Sequence, residues 1–251
     1  MSEINVKLGL KNILTRIEET CKRRAPEFQG NIPQLVAVSK TKPIEMIIEA
    51  YEAGQRHFGE NYVNELVDKA NHKDILERCK DIKWHFIGNL QMNKVNKLLS
   101  LTNLYMIETI DEEKLAAKVN TNWPKYGHPD TRLNIMIQVN TSGEDVKNGT
   151  SPENVIELAR FIQEKCPNLH LHGLMTIGRF GYDYSQGPNP DFILLTQCRN
   201  KVCNELNIGI DELQLSMGMS DDFEHAIELG STNVRVGSSI FGYREKKSQS
   251  T

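Results

Sequence analysis

Cysteine pairs are missing from this sequence. Its five cysteines, Cys21, Cys79, Cys166, Cys198 and Cys203, are odd in number, widely spread and never spaced Cys-x-x-Cys, which argues against a disulfide framework or a zinc ribbon and for reduced thiols. No segment reaches the uninterrupted apolar length of a membrane span, and the opening residues Met1-Ser2-Glu3-Ile4-Asn5-Val6-Lys7 lack the apolar stretch of a signal peptide. A soluble, cytoplasmic protein is expected, so the formal glycosylation sites at Asn140 and Asn148 carry no meaning. Excess charge is absent too. Thirty lysines and arginines stand against 33 aspartates and glutamates, a net charge of -3, which gives no general attraction to nucleic acid or to an anionic membrane. There is no internal repeat, and no Gly-x-Gly-x-x-Gly follows the first strand, where a dinucleotide-binding fold would place it.

What is present is a chain of 251 residues, 39% hydrophobic and 25% charged, long enough for a full core and within the size of one α/β barrel. Ile4, Leu8, Leu10, Ile13, Leu14 and Ile17 recur mostly every three or four residues, which predicts an amphipathic helix within residues 1–25, ended by Pro26 and Gly30. Strand candidates then follow at 34–40, 56–59, 83–88, 104–110, 133–140, 169–177, 212–217 and 233–237, with helical patterns between most of them. Helix starts are marked by Pro43, Asp111 and Ser151-Pro152-Glu153-Asn154, and stops by Gly54 and Gly230. Strands separated by helices pair in parallel through right-handed crossovers, and eight such units close into a (β/α)₈ TIM barrel. The expectation is one domain over residues 1–251, with an extra N-terminal helix and a flexible polar tail over 244–251. A loop from Gly178 to Pro190, rich in glycine and carrying Tyr182 and Tyr184, reads equally as a lid or as a plain surface connection.

In such a barrel the strand C-termini converge on one face. Lys40 ends the first strand, in Ser39-Lys40-Thr41-Lys42-Pro43; it is either a solvated lysine or an amine poised for Schiff-base chemistry. After strands seven and eight stand Ser216-Met217-Gly218-Met219-Ser220 and Arg235-Val236-Gly237-Ser238-Ser239. Hydroxyls and freed backbone amides after these two strands are where barrels of this kind hold phosphate. Asp221 and Asp222 would repel an anion on the following helix, and Ser220 reads equally as its N-cap. Arg235 alternates with Val234 and Val236, so it faces either the pocket or an ion-pair partner. Asn61, Asn89, Gln91 and Asn93 suit ligand contacts or helix caps. His170 and His172 share one strand face, but without nearby carboxylates the ligand count speaks against a metal. Lysine and phosphate site together suggest pyridoxal phosphate.

The motifs Ala37-Val38-Ser39-Lys40-Thr41-Lys42-Pro43, Phe58-Gly59-Glu60-Asn61-Tyr62, Trp84-His85-Phe86-Ile87-Gly88, Gly173-Leu174-Met175-Thr176-Ile177, Ser216-Met217-Gly218-Met219-Ser220 and Arg235-Val236-Gly237 resemble those of the pyridoxal phosphate homeostasis protein family from about residue 34 to Gly242. The resemblance implies a barrel similar to the N-terminal domain of alanine racemase, with pyridoxal 5′-phosphate held as an internal aldimine on Lys40 and not on Lys42. It implies that Ser216, Gly237 and Ser238 hold the phosphate, Arg235 faces the pyridine nitrogen and Asn61 sits near the ring. It also implies a monomeric role in vitamin B6 homeostasis without robust turnover, the alternative being a pyridoxal phosphate-dependent amino-acid racemase or related enzyme. Two-base racemisation needs a second acid/base opposite the lysine. With only nine residues after Gly242 no second domain is expected to supply it, and Tyr182 or Tyr184 would have to. The family often has proline where Asn89 stands and serine or threonine where Met92 stands, departures that touch pocket detail only.

Overall fold

Short runs rich in valine, isoleucine and leucine form the strands of the computed structural model, which describes residues 4–28, 30, 32–126, 130–144 and 148–243; the tail expected over 244–251 lies outside them. The strands are β1 (Gln34–Val38), β2 (His57–Glu60), β3 (Lys83–Phe86), β4 (Leu104–Ile110), β5 (Leu133–Gln138), β6 (Leu169–Met175), β7 (Gln214–Ser216) and β8 (Asn233–Val236). They pair in sequence order, all in parallel, and β8 returns to β1 to close the barrel. The expected TIM barrel is therefore what the chain forms. Several strands end two residues before their apolar pattern does, because Ser39, Val139 and Thr176 keep one hydrogen bond to a neighbouring strand and then peel away into the loops of the mouth.

The outer ring comprises α1 (Val6–Arg23), α2 (Ile44–Glu52), α3 (Val63–Ala70), α4 (Lys73–Arg78), α5 (Val95–Leu99), α6 (Glu113–Asn122), α7 (Val155–Lys165), α8 (Pro190–Leu206), α9 (Phe223–Glu228) and α10 (Ser238–Phe241). The extra helix α1 buries Val6, Leu10, Ile13, Ile17 and Thr20, a stripe three or four residues apart, and packs on α2, α9 and α10. Asn5 caps it, its Oδ1 accepting from the Leu8 amide at 2.8 Å. Asn5→Ala is expected to lower stability by about 1 kcal/mol, read as an earlier urea midpoint with an unchanged slope.

Side-chain direction decides what fills the axis. Leu35, Ala37, Val234 and Val236 pack outward in the core beneath the helices, so the alternating Asn233 and Arg235 of β8 turn inward. Met106, Met136 and Met175 form an apolar patch of their own with Tyr105 and Ile177. Beside them lies a buried polar layer: His57, His85, Glu108, Ser216, Asn233 and Arg235, each no more than 9% exposed. Among the described residues no helix is long and apolar enough to cross a membrane.

Candidate functional site

The turn after β1 sets the position of Lys40. Lys42 donates its amide to the Ser39 carbonyl at 3.0 Å, and Thr41 takes a left-handed φ of 64°, an uncommon state for a β-branched residue. Neighbouring groups hold it there. The Thr41 amide donates to Glu65 Oε1 at 2.5 Å, and the buried Lys69 ammonium donates to Ser39 O, Glu60 Oε1 and Glu65 Oε1, each at 2.7 Å. Burial raises the Glu60 carboxyl pKa against the opposing pull of Lys69 and Ser39. The result is a half-buried Lys40 on the wall of a cavity of about 680 Å³ at the C-terminal mouth.

Across that cavity the loops after β7 and β8 are clasped together, with Ser220 Oγ accepting the Gly237 amide at 3.2 Å. Ser220, Gly237 and Ser238 all line the cavity. Ser220 is thus not the N-cap of α9; Asp222 occupies that position and turns its Oδ1 back to the Met219 amide at 2.6 Å. Gly218 makes the turn possible: its φ is 95°, and a Cβ there would sit 2.6 Å from Ala226 Cβ and 2.9 Å from Phe223 Cα. Asn61, beyond β2, also lines the cavity, and its Oδ1 is buried without a hydrogen-bond partner. Gly88 allows Asn61 its place, since a Cβ at Gly88 would fall 1.9 Å from the Asn61 carbonyl oxygen.

Arg235 lies beneath the cavity and lines it, 4% exposed. Its Nη1 donates to Ser216 Oγ at 2.6 Å and its Nη2 to the Thr176 carbonyl at 2.8 Å. Ser216 does not line the cavity. Its hydroxyl is fully buried and donates to Glu108 Oε2 at 2.6 Å, so the proton and a lone pair are already committed on the inner side of Arg235. The serine that meets the cavity in this loop is Ser220, four residues later, because Ser216 still belongs to the strand and points into the axis while Ser220 rides on the loop. Burial opposes ionisation of Glu108, yet the hydrogen bond and charge of His85, with Arg235 and Ser216, hold its pKa below the usual carboxylate value.

Other sequence candidates fall elsewhere. Asn89 and Gln91 line a neighbouring hollow of about 360 Å³ that shares Asn61 with the main cavity, whereas Asn93 lines neither. His170 is exposed and bonds Asn134, while His172 meets it edge-on and faces the far end of the barrel; among the described residues no group of histidine, cysteine and carboxylate could hold a metal. Tyr182 and Tyr184 do not line the cavity, and Tyr184 stacks on His225 at 3.8 Å. From the same loop Phe180 does, standing 83% exposed at the rim. The interior trio His57, His85 and Glu108 escaped the sequence reading, though a carboxylate inside the apolar run Met106-Ile107-Glu108-Thr109-Ile110 was its visible sign.

Residues 14–245 match the family model of the alanine racemase N-terminal domain. The chain is 53% identical over its full length to the human pyridoxal phosphate homeostasis protein, covering 90% of that protein, and 40% identical to the one from Vibrio cholerae over 96% of this chain and 97% of that protein. Among solved structures, PipY of Synechococcus elongatus with pyridoxal phosphate bound superposes with a TM-score of 0.74 at 28% identity, over 92% of this chain and all of that one. Alanine racemase from E. faecalis shares the fold alone, at 16% identity and a TM-score of 0.63, and this chain spans 59% of it. An amine, a clasped pair of loops and a buried guanidinium on one barrel mouth, in a sequence so close to these relatives over its whole length, make the chain a member of the pyridoxal phosphate homeostasis protein family.

Proposed function

We propose that this protein binds pyridoxal 5′-phosphate in the mouth cavity, with the aldehyde attached reversibly to Lys40 as a Schiff base, and that it serves intracellular vitamin B6 homeostasis as a holder of the cofactor. The observation that carries this reading is that Lys40 and the Ser220–Gly237 clasp face one cavity, as an aldehyde and a phosphate on one small molecule require.

The donors fit the group. A phosphate would be held by the Ser220 hydroxyl and the backbone amides that follow Gly237, from Ser238 on, the Gly237 amide itself being engaged by Ser220 Oγ, after the two strands whose loops bind phosphate in barrels of this kind. Ser216, already committed to Glu108 and Arg235, acts through Arg235 instead. Val38, Ile87, Met175, Ile177 and Met219 supply apolar walls for a ring. The unpartnered Asn61 Oδ1 offers a buried polar contact beside it. When bound, the cofactor supplies an electrophilic aldehyde and an aromatic ring that can take up electrons. Arg235 governs the second property. A guanidinium has five N–H donors and no acceptor, and the bonds to Ser216 and Thr176 use two of them. Facing a ring nitrogen with the rest, Arg235 would keep that nitrogen unprotonated, which would weaken the ring as an electron sink and favour holding over carbanion chemistry. The racemase alternative lacks support from Tyr182 and Tyr184, which lie off the cavity.

Borohydride reduction of protein incubated with pyridoxal 5′-phosphate, followed by peptide mass mapping, is expected to place the adduct on Lys40, and Lys40→Ala to lose it. An adduct spread over surface lysines, or none at all, defeats the proposal. Sustained exchange of an amino acid's α-proton with deuterated water would move the assignment to the enzyme alternative.

A further inference from the structure

A line of hydrogen bonds runs through the barrel from the strand N-termini to the mouth, and cofactor capture as described above has no use for its lower half. His57 Nδ1 lies 2.8 Å from His85 Nε2, and His85 Nδ1 lies 2.7 Å from Glu108 Oε1. Glu108 Oε1 also accepts from Asn233 Nδ2 at 3.1 Å, and Glu108 Oε2 accepts from Ser216 Oγ at 2.6 Å. Ser216 Oγ in turn accepts from Arg235. The lower end opens on a separate, small cavity of about 90 Å³ lined by His57, His85, Tyr105 and His172 among others.

Barrel interiors of this class are ordinarily packed with branched apolar side chains, and a buried carboxylate and guanidinium are costly unless both are fully satisfied. Here the satisfaction has a direction. An ionised carboxylate only accepts, so His85 must present Nδ1–H, Asn233 its amide and Ser216 its O–H to Glu108. The Ser216 lone pairs are then turned to Arg235, and the guanidinium is held at two points, Ser216 Oγ and Thr176 O. Glu108 is fully buried and does not line the mouth cavity; its hydrogen bonds lead to that cavity through Ser216 and Arg235.

We propose that Glu108 is a positioning residue of the cofactor site: acting through Ser216, it fixes the plane of Arg235 so that the ring nitrogen of the cofactor meets a rigid, charged donor. The proposal rests on the reading that the mouth cavity holds pyridoxal 5′-phosphate. It assigns Ser216 the task of transmitting orientation and makes the carboxylate in the middle of β4 a determinant of the cofactor's electronic state. His85 and Asn233 both engage Oε1, which fixes the orientation of the carboxylate and turns Oε2 to Ser216.

Two readouts test it. Wild type, Glu108→Gln, Ser216→Ala and, as an exposed control, His170→Gln are loaded with pyridoxal 5′-phosphate carrying ¹⁵N in its ring, and the ring-nitrogen chemical shift is recorded. In parallel, the cofactor-free proteins are examined by NMR for exchange of the Arg235 side-chain N–H protons with water. Glu108→Gln and Ser216→Ala are expected to displace the ring-nitrogen shift and to speed the Arg235 exchange at least about tenfold, the factor that loss of one hydrogen bond to a charged group corresponds to. His170→Gln is expected to change neither. An unmoved shift and unaltered exchange in natively folded Glu108→Gln and Ser216→Ala overturn the proposal. Where Glu108→Gln fails to fold, Ser216→Ala decides, since it removes the bridging hydroxyl and keeps both charges. Failure of wild type to take up the labelled cofactor defeats the binding reading instead, and the exchange measurement on cofactor-free protein still decides whether Glu108 holds Arg235.

Discussion

Lys69→Met is expected to cost the protein about 3–5 kcal/mol of stability at neutral pH, the penalty for stripping one partner from a buried ion pair. Lys69 is 8% exposed along its side chain and Glu60 is 0% exposed. The Glu60 Oε2 atom already lacks a hydrogen-bond partner, so without the ammonium the carboxylate keeps only the Ser39 hydroxyl, at 2.7 Å. Burial raises the Glu60 pKa even in the intact pair, with Lys69 pulling the other way; removing Lys69 raises it further. A carboxyl whose folded pKa lies above its unfolded value binds more protons in the folded state, so stability falls as pH rises through that window and is regained on acidification. The deficit of the variant, measured by urea unfolding at pH 7.5 and again at pH 5.5, should therefore shrink at the lower pH. An equal deficit at both values would show that Glu60 does not feel the loss. The same substitution frees the Ser39 carbonyl and loosens Glu65, which holds the Thr41 amide, so Lys40 should also capture aldehyde less tightly.

The second large effect lies at the other end of the barrel. Lowering the pH from 7 to 5 is expected to remove on the order of 1–2 kcal/mol of stability for each of His57 and His172. Desolvation, with the charges of His85 and Lys83 beyond it, lowers the His57 pKa to about 3 against the opposing Glu108. Desolvation and then His170 and His85 lower the His172 pKa to about 4, again against Glu108. Below pH 6.5 the unfolded chain takes up protons that the folded one refuses, so stability is complete above that value and declines as pH falls toward the folded pKa values. Glu108 acts in the same direction, but its depressed pKa places its share of the loss below pH 4.5, outside the window. Urea midpoints at pH 7, 6 and 5 should fall steadily in wild type and less steeply in His57→Gln. A flat profile would mean that these imidazoles are hydrated and free to charge.

The eight strands were readable because a parallel barrel strand is a short, nearly continuous apolar run between helices of recognisable period; even β7, three residues long, shows as Leu213 and Leu215 between turn residues. The mouth was readable for a related reason. Lys40, Asn61, Gly237 and Ser238 sit just beyond strand ends, where the fold itself decides which way a side chain faces, and they do line one cavity. Arg235 faces that cavity from within β8, as its alternation with Val234 and Val236 allowed. Ser216 reads from its motif as a loop hydroxyl, yet the expected strand over 212–217 contains it, and its alternation with the outward Leu213 and Leu215 turns it to the axis. The axial network was harder still. His57, His85 and Glu108 come from three different strands, and only the barrel's closure tells that they point at the same line. The interior is unusually polar, so the general expectation of apolar filling concealed it.

The seam where β8 meets β1 joins Gln34, Leu35, Val36 and Ala37 to Asn233, Val234, Arg235 and Val236. Lys40 stands on one lip of that seam and the Ser220–Gly237 clasp on the other, so any molecule gripped by both spans residues nearly the whole chain apart. Such a molecule would fasten the pairing that completes the ring. Its grip is tied to folding of the entire ring and not of a local flap, and occupancy by a tightly held ligand, with free ligand at 100 times its Kd, should lift the global unfolding transition by about 2.7 kcal/mol.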